Sequence, residues 1–292
     1  MKKIINNPAD VVPEMVNGMV RLYPQYIEKI DGTEVMVRSD KESMQGKVGI
    51  VSGGGSGHEP SHAGFVGKGM LSAAVAGQVF TSPTPDQIYE AIKAVDSGKG
   101  VFLVIKNYSG DVMNFDMAKD MAEMDDIEVK SIIVNDDIAV ENSLYTQGRR
   151  GVALSAATVP EVGKPGFELA EDEIEYGVGI HSEPGYRREK IKPSKELVAE
   201  LIKKLDEELH LNKDKKYAVL INGMGATPLM EQYIFGNDVL DALEAKGVKP
   251  VFTKAGNYMT SIEMAGISLT IFELAEDKWL DYLNYPVETI AW

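Results

Sequence analysis

Short apolar runs of strand length alternate with stretches of helical period through the first half of the chain, and this alternation restricts the fold more than any other feature. Val48–Val51, Ala73-Ala-Val75, Val101–Ile105, and Ile127–Val129 with Ile132–Val134 are the strand-like runs. Val12, Met15, Val16, Met19, Val20 and Tyr23 recur at helical spacing, with Asp10 as the expected cap and Pro13 confined to the first turn. Further helices are expected after His58, over Thr84–Ala94, and where Met113, Met117, Met121 and Met124 form a stripe. Such an order predicts an α/β fold with a largely parallel sheet covered by helices on both faces. The second half is less regular. A short strand is expected at Val152–Ser155, a loop with Pro160, Pro165 and Gly166, a helix over Lys195–Glu208, a strand at Ala218–Ile221, a helix over Leu229–Ala245, and strands at Val251 and Ile267–Phe272.

In parallel sheets ligands collect beyond the carboxyl ends of the strands, and there this chain keeps its unusual loops. The first, Ser52-Gly-Gly-Gly-Ser-Gly-His-Glu-Pro60, reads as a glycine-rich turn that delivers His58 to a helix start. It fits none of the standard phosphate or nucleophile templates. Gly67-Lys68 is followed by glycine where a phosphate loop needs Ser or Thr, the dinucleotide fingerprint meets His58 or Pro60 where it needs glycine, and the hydrolase elbow ends on His58. The second loop, Lys106-Asn-Tyr-Ser-Gly-Asp111, and the third, Asn135-Asp-Asp137, follow the next two strand-like runs.

Composition narrows the partners. The 292 residues suffice for two compact α/β units or one large one, and a formal charge of −15 argues against nucleic acid or an anionic membrane as the main partner. There is no cysteine, so disulfides and thiolate chemistry are excluded, as suits a reducing cytoplasm. Neither a leader-like apolar stretch behind the first lysines nor a run of membrane-spanning length is present in the sequence, and a cytoplasmic location is expected.

The histidines number only four, at 58, 62, 181 and 210. His210 ends a charged helix and reads as a surface or capping residue; His62 reads as a packed ring. His58 and His181 sit in glycine-rich loops, where a functional and a structural role are equally open. Asp111 reads as a helix N-cap and Lys106 as a solvated strand end, yet both share one sheet edge with Gly55 and His58. Histidine with aspartate near a helix N-terminus can activate a hydroxyl by general-base catalysis. Metal binding is the weaker reading, because no ligand spacing of that kind stands out.

Several long motifs resemble the K-subunit family of bacterial dihydroxyacetone kinases: Ser52–Pro60, Phe80–Pro85, Lys106–Phe115, Asp136–Val140, Gly148–Gly151, Gly179–Gly185, Asn222–Pro228 and Gly256–Ser261. The resemblance covers nearly the whole chain. It implies two α/β domains, here 1-151 and 152-292, usually in a homodimer. It also implies that His181 forms a covalent hemiaminal with the C2 carbonyl of dihydroxyacetone, which would exclude glycerol. Gly55, His58, Lys106 and Asp111 are then pocket residues, with Asp111 and His58 on the substrate hydroxyls and one of them as the base, so that catalysis falls to His181, Asp111 and His58. No cofactor or metal is expected on this chain. ADP or ATP with Mg is expected on a separate L subunit, recharged from phosphoenolpyruvate through a phosphocarrier, to give dihydroxyacetone phosphate in glycerol metabolism. The alternative is a non-catalytic paralogue that senses dihydroxyacetone as a transcription co-activator.

One departure from the family pattern stands out. Members carry a largely helical segment of a few dozen residues after the Arg-Arg-Gly motif, whereas here Gly151 runs almost directly into Leu154-Ser-Ala-Ala-Thr158.

Overall fold

The computed structural model describes residues 4–140, 148–150, 155–158, 169–181, 183–262 and 264–292. The chain forms two compact units. One comprises Met1–Asn135, Tyr145–Gly151 and Pro286–Trp292, the other Asp136–Leu144 and Val152–Tyr285. The last seven residues thus belong with the first unit. Glu288 N donates to Lys68 O at 3.0 Å, Ala291 N donates to Gly64 O at 2.9 Å, and Lys68 pairs with the Glu288 carboxylate.

The first unit opens with helix α1 (Val11–Leu22), the hairpin β1 (Ile27–Lys29) and β2 (Val35–Arg38), then β3 (Gly49–Ser56) and β4 (Ala73–Val79). Helix α2 (Pro85–Val95), β5 (Val101–Lys106), α3 (Ser109–Met124) and β6 (Val129–Val134) follow. Its sheet runs β1-β2-β4-β3-β5-β6; the last four strands are mutually parallel, and β2 pairs antiparallel with both β1 and β4. Period-two alternation assigns the two faces. Val35, Val37, Ala73 and Val75 pack with Ile88, Ile92 and Phe115 of α2 and α3, while Met36 and Ala74 pack with Val12 and Val16 of α1. Helices therefore cover both faces, as the alternation predicts.

The second unit contains β7 (Ser155–Thr158), β8 (Glu173–Tyr176), β9 (Arg187–Lys190), α4 (Ser194–Leu209), β10 (Tyr217–Gly223), α5 (Leu229–Ala245), β11 (Phe252–Gly256), β12 (Ala265–Glu273) and α6 (Asp277–Leu283). Its sheet runs β11-β10-β12-β7-β8-β9, with β10 and β11 parallel and the remaining pairs antiparallel. Tyr217, Val219 and Ile221 of β10 meet Val198, Leu201, Phe235 and Val239 of α4 and α5 in its core. The chain passes into this core through the third loop: Asp137 Oδ1 accepts from Ala139 N at 2.8 Å, and Ala139 packs in the core. His210 caps α4 in the left-handed conformation (φ 49°), its N–H donating to Asp206 O at 2.9 Å. The Gly151–Leu154 junction, the start of the Val152–Ser155 strand, and the loop of Pro160, Pro165 and Gly166 lie outside the described residues.

Three local expectations fail, two at the first glycine loop and one at the second. The glycines are strand, not turn: β3 continues through Gly53, Gly54 and Gly55, which pair with Val75, Ala76 and Gly77 of β4. Glycine is needed for close packing, since a Cβ at Gly53 would stand 2.6 Å from Val75 O and one at Gly55 2.6 Å from Thr81 N. The chain turns only at Gly57 (φ 101°), and no α-helix follows His58; Ala63–Phe65 make one short 3-10 turn. Asp111 likewise lies inside the first turn of α3 rather than at its cap, which is Tyr108.

Candidate active site

Parallel β3, β4 and β5 end together, and the predicted pocket residues of the first unit gather at those ends. Gly55 is the penultimate residue of β3 and Lys106 the last of β5. Asp111 enters from the first turn of α3, where the helix dipole favours its charge. Lys106 and Asp111 form a buried pair, Nζ to Oδ2 3.6 Å, with side chains 6% and 3% exposed. Neither Lys106 Nζ nor Asp111 Oδ1 has a hydrogen-bond partner among the described residues. Buried charged groups left this way are costly unless a polar ligand completes them.

The walls around this pair explain the glycines. A Cβ at Gly54 would lie 2.5 Å from Lys106 Nζ and 3.1 Å from His62 Cε1, so the bare backbone makes room for both side chains. His58 is fully buried and stacks on Phe80 (centroids 5.1 Å apart, planes 19°), which itself sits at φ 54° just past β4. Phe80 N donates to Ser56 O at 3.0 Å, which ties the two strand ends together. Beyond it, Pro83 O accepts from Asn114 Nδ2 at 2.8 Å and Ser82 abuts Gly110, so the Phe80–Pro85 segment packs on the start of α3. Burial raises the Glu59 carboxyl above its ordinary value against the opposing pull of the Gly57 N–H, from which the carboxylate accepts at 3.0 Å. Burial first, and then the Lys106 charge, hold the His62 imidazole well below its ordinary pKa.

His181 stands in the second unit, on the turn that joins β8 to β9. That turn is tied from several sides. Ser261 Oγ donates to Ile180 O at 2.6 Å, Gly179 N donates to Glu183 O at 3.0 Å, and Gly185 N donates to the buried Glu175 Oε1 at 2.7 Å. The segment bearing Ser261 is held by Asn222, whose Oδ1 accepts from Tyr258 N and Met259 N at 2.8 and 3.0 Å and whose Nδ2 donates to Ser268 Oγ at 3.1 Å. Glu183 approaches the histidine itself: its Oε1 is 3.6 Å from His181 Nδ1. Sequence reasoning missed Gly54, Phe80 and Glu183 as parts of the site. The motifs that contain them were visible, but which neighbour each side chain or missing side chain serves depends on strand register.

Among the described residues, no group of three or more His, Cys, Asp or Glu side chains could hold a metal ion, and no helix is long and apolar enough to cross a membrane.

Comparison with known proteins places these features in a family. The model of the Dak1 domain matches residues 17–155 and 151–291. The dihydroxyacetone-binding subunit of a phosphotransferase-dependent dihydroxyacetone kinase from Lactococcus lactis is 58% identical, covering 100% of this chain and 99% of that protein. The alignment extends over 330 positions for a chain of 292, so the relative carries residues without counterpart here, and the two family matches meet at 151–155, where the segment is short. A structure of a dihydroxyacetone kinase operon co-activator superposes with TM-score 0.89 at 39% identity, covering 96% of this chain and 98% of its own. The dihydroxyacetone kinase of C. freundii, solved with AMP-PNP and Mg2+, superposes with TM-score 0.88 at 28% identity over 100% of this chain and 60% of its own.

Proposed function

The chain belongs to the Dak1 family, and on that premise we propose that it is the dihydroxyacetone-binding subunit of a dihydroxyacetone kinase. The observation that carries this reading is the buried Lys106–Asp111 pair, with a donor and an acceptor lacking hydrogen-bond partners among the described residues, at the converging ends of β3 and β5. A small polyhydroxylated ketone supplies both an acceptor for the ammonium and a hydroxyl donor for the carboxylate. Gly54 and Gly55 allow such a ligand to approach the backbone closely.

In this proposal His181 adds to the C2 carbonyl and holds the ketose as a hemiaminal, which glycerol cannot form. Asp111, or else His58, accepts the proton of the hydroxyl as it attacks the phosphoryl group. The nucleotide and its Mg belong to a partner L subunit, recharged from phosphoenolpyruvate through a phosphocarrier, and the chain works as a soluble cytoplasmic homodimer. None of its own residues is assigned to a cofactor or a metal.

The test is phosphotransfer with the cognate nucleotide-carrying subunit. Asp111→Ala should retain the mass-detected dihydroxyacetone adduct and lose turnover by about 100-fold or more, whereas His181→Ala should lose the adduct. An unchanged rate in Asp111→Ala would remove it as base, and an adduct in His181→Ala would remove the covalent assignment. The co-activator likeness favours a second reading as a ligand sensor. Failure of the wild-type chain to support phosphotransfer, with the adduct intact, would select it.

A further inference from the structure

We infer that Glu183 is a positioning residue that determines which imidazole nitrogen of His181 carries the lone pair that attacks the ketone; this rests on the reading of His181 as the covalent anchor. The Glu183 side chain is 1% exposed, against 16% for His181. A carboxylate so far out of water is retained only where donors hold it. Its Oε2 accepts from the backbone N–H of His181 at 2.9 Å, while Oε1 stands 3.6 Å from the Nδ1 of the same residue. Backbone and ring of His181 thus lean on one carboxylate. A separation of 3.6 Å is longer than a hydrogen bond, and catalytic hydrogen bonds are often long before the substrate is bound and tighten in the reacting complex.

The chemistry follows from the tautomer. A carboxylate facing Nδ1 favours the proton there, which leaves the lone pair on Nε2. That pair forms the C–N bond, and the carbonyl π pair moves to oxygen. The ring becomes an imidazolium, whose charge the carboxylate offsets. The oxygen then takes a proton from water and the ring returns its Nδ1 proton to water, so the neutral hemiaminal forms without redox change or net proton uptake.

Glu183→Gln is the informative substitution because the two carboxylate oxygens have different tasks. The one amide oxygen must serve the His181 N–H, so the NH2 group would face Nδ1 and favour the opposite tautomer, with the proton on Nε2. The turn should persist, since Gly179 N to Glu183 O, Ser261 Oγ to Ile180 O and Gly185 N to Glu175 Oε1 are untouched.

The experiment uses the full chain with 15N-labelled histidine, reads the His181 tautomer by NMR, and measures adduct yield with dihydroxyacetone by mass spectrometry. Wild type should carry the proton on Nδ1. Glu183→Gln should shift it to Nε2 and lower adduct yield by about tenfold or more, and Glu183→Asp should restore part of both. A wild-type tautomer and yield in Glu183→Gln, with the adduct absent from His181→Ala, would overturn the role of Glu183 and leave the covalent reading intact. Loss of adduct in Glu183→Gln with the tautomer unchanged would also overturn it, because the carboxylate would then only shape the turn. An adduct that persists in His181→Ala would instead remove the covalent reading.

Discussion

Two adjacent glycines show how differently neighbouring residues of one strand can be constrained. At Gly53 an added Cβ meets the fixed carbonyl of Val75 at 2.6 Å; at Gly54 it meets the far end of the Lys106 side chain at 2.5 Å. Gly53→Ala should therefore lower stability by about 1–3 kcal/mol in chemical denaturation. Gly54→Ala should cost less stability and instead weaken dihydroxyacetone binding, measured by calorimetric titration, because Lys106 is displaced. The reverse ranking would contradict this assignment of roles. His62 gives a pH signature. Its folded-state pKa is depressed by burial and by the Lys106 charge, so the unfolded chain binds the extra proton. The histidine's contribution is complete above about pH 6.5 and is lost progressively as pH falls below it. Denaturation midpoints between pH 7 and 5 should fall less in His62→Gln than in wild type; parallel slopes would exclude His62 as the group responsible. The sequence marked His58, Lys106 and Asp111 by their loops, and it read His62 as a packed ring. The ring's contact with the Lys106 site could not be read, because it passes across the strand through the absent side chain of Gly54.

Among elements, β3 is where local reasoning went furthest wrong, for a reason of general use. Glycine-rich segments read as turns because glycine reaches positive φ, but among residues 53–57 only Gly57 uses that freedom. Gly53 and Gly55 are glycine because β4 and the residues after it approach too closely for a Cβ, and Gly54 because the Lys106 and His62 side chains occupy that space. The C-terminal segment makes the same point. Its Glu288 and Ala291 amides pair with Lys68 and Gly64, and any Cβ at Gly67 would overlap Glu288 O. Gly67→Ala should release this segment, so that hydrogen exchange of the Glu288 and Ala291 amides accelerates by about tenfold or more while β10 and β12 keep their protection. Unchanged exchange at both amides would show that the backbone can absorb the methyl group. By contrast the helices α2, α4 and α5 were legible nearly to their ends. Apolar spacing and flanking prolines, Pro85, Pro193 and Pro228, are purely local signals.

For the whole molecule, the charge of −15 suggests how it meets a partner. If the nucleotide-carrying subunit presents a basic docking face, association should weaken, chiefly through a slower on-rate, as salt rises from about 50 to 500 mM. Stopped-flow binding measures this, and a salt-independent on-rate would rule out electrostatic steering. At this scale the sequence by itself determined the α/β class, the parallel core of the first unit and the motifs that mark the family, because strand and helix periods and the order of motifs are properties of consecutive residues. Only the tertiary structure decided that the glycine run is a strand packed against its neighbour, that the chain's last residues return to the first unit, that Lys106 and Asp111 are buried together with unmatched polar atoms, and that Glu183 faces the ring of His181. Each of these depends on register and on approach between segments far apart in sequence, and the free energy of burying a charge or excluding a methyl group is set by those neighbours rather than by the residue itself.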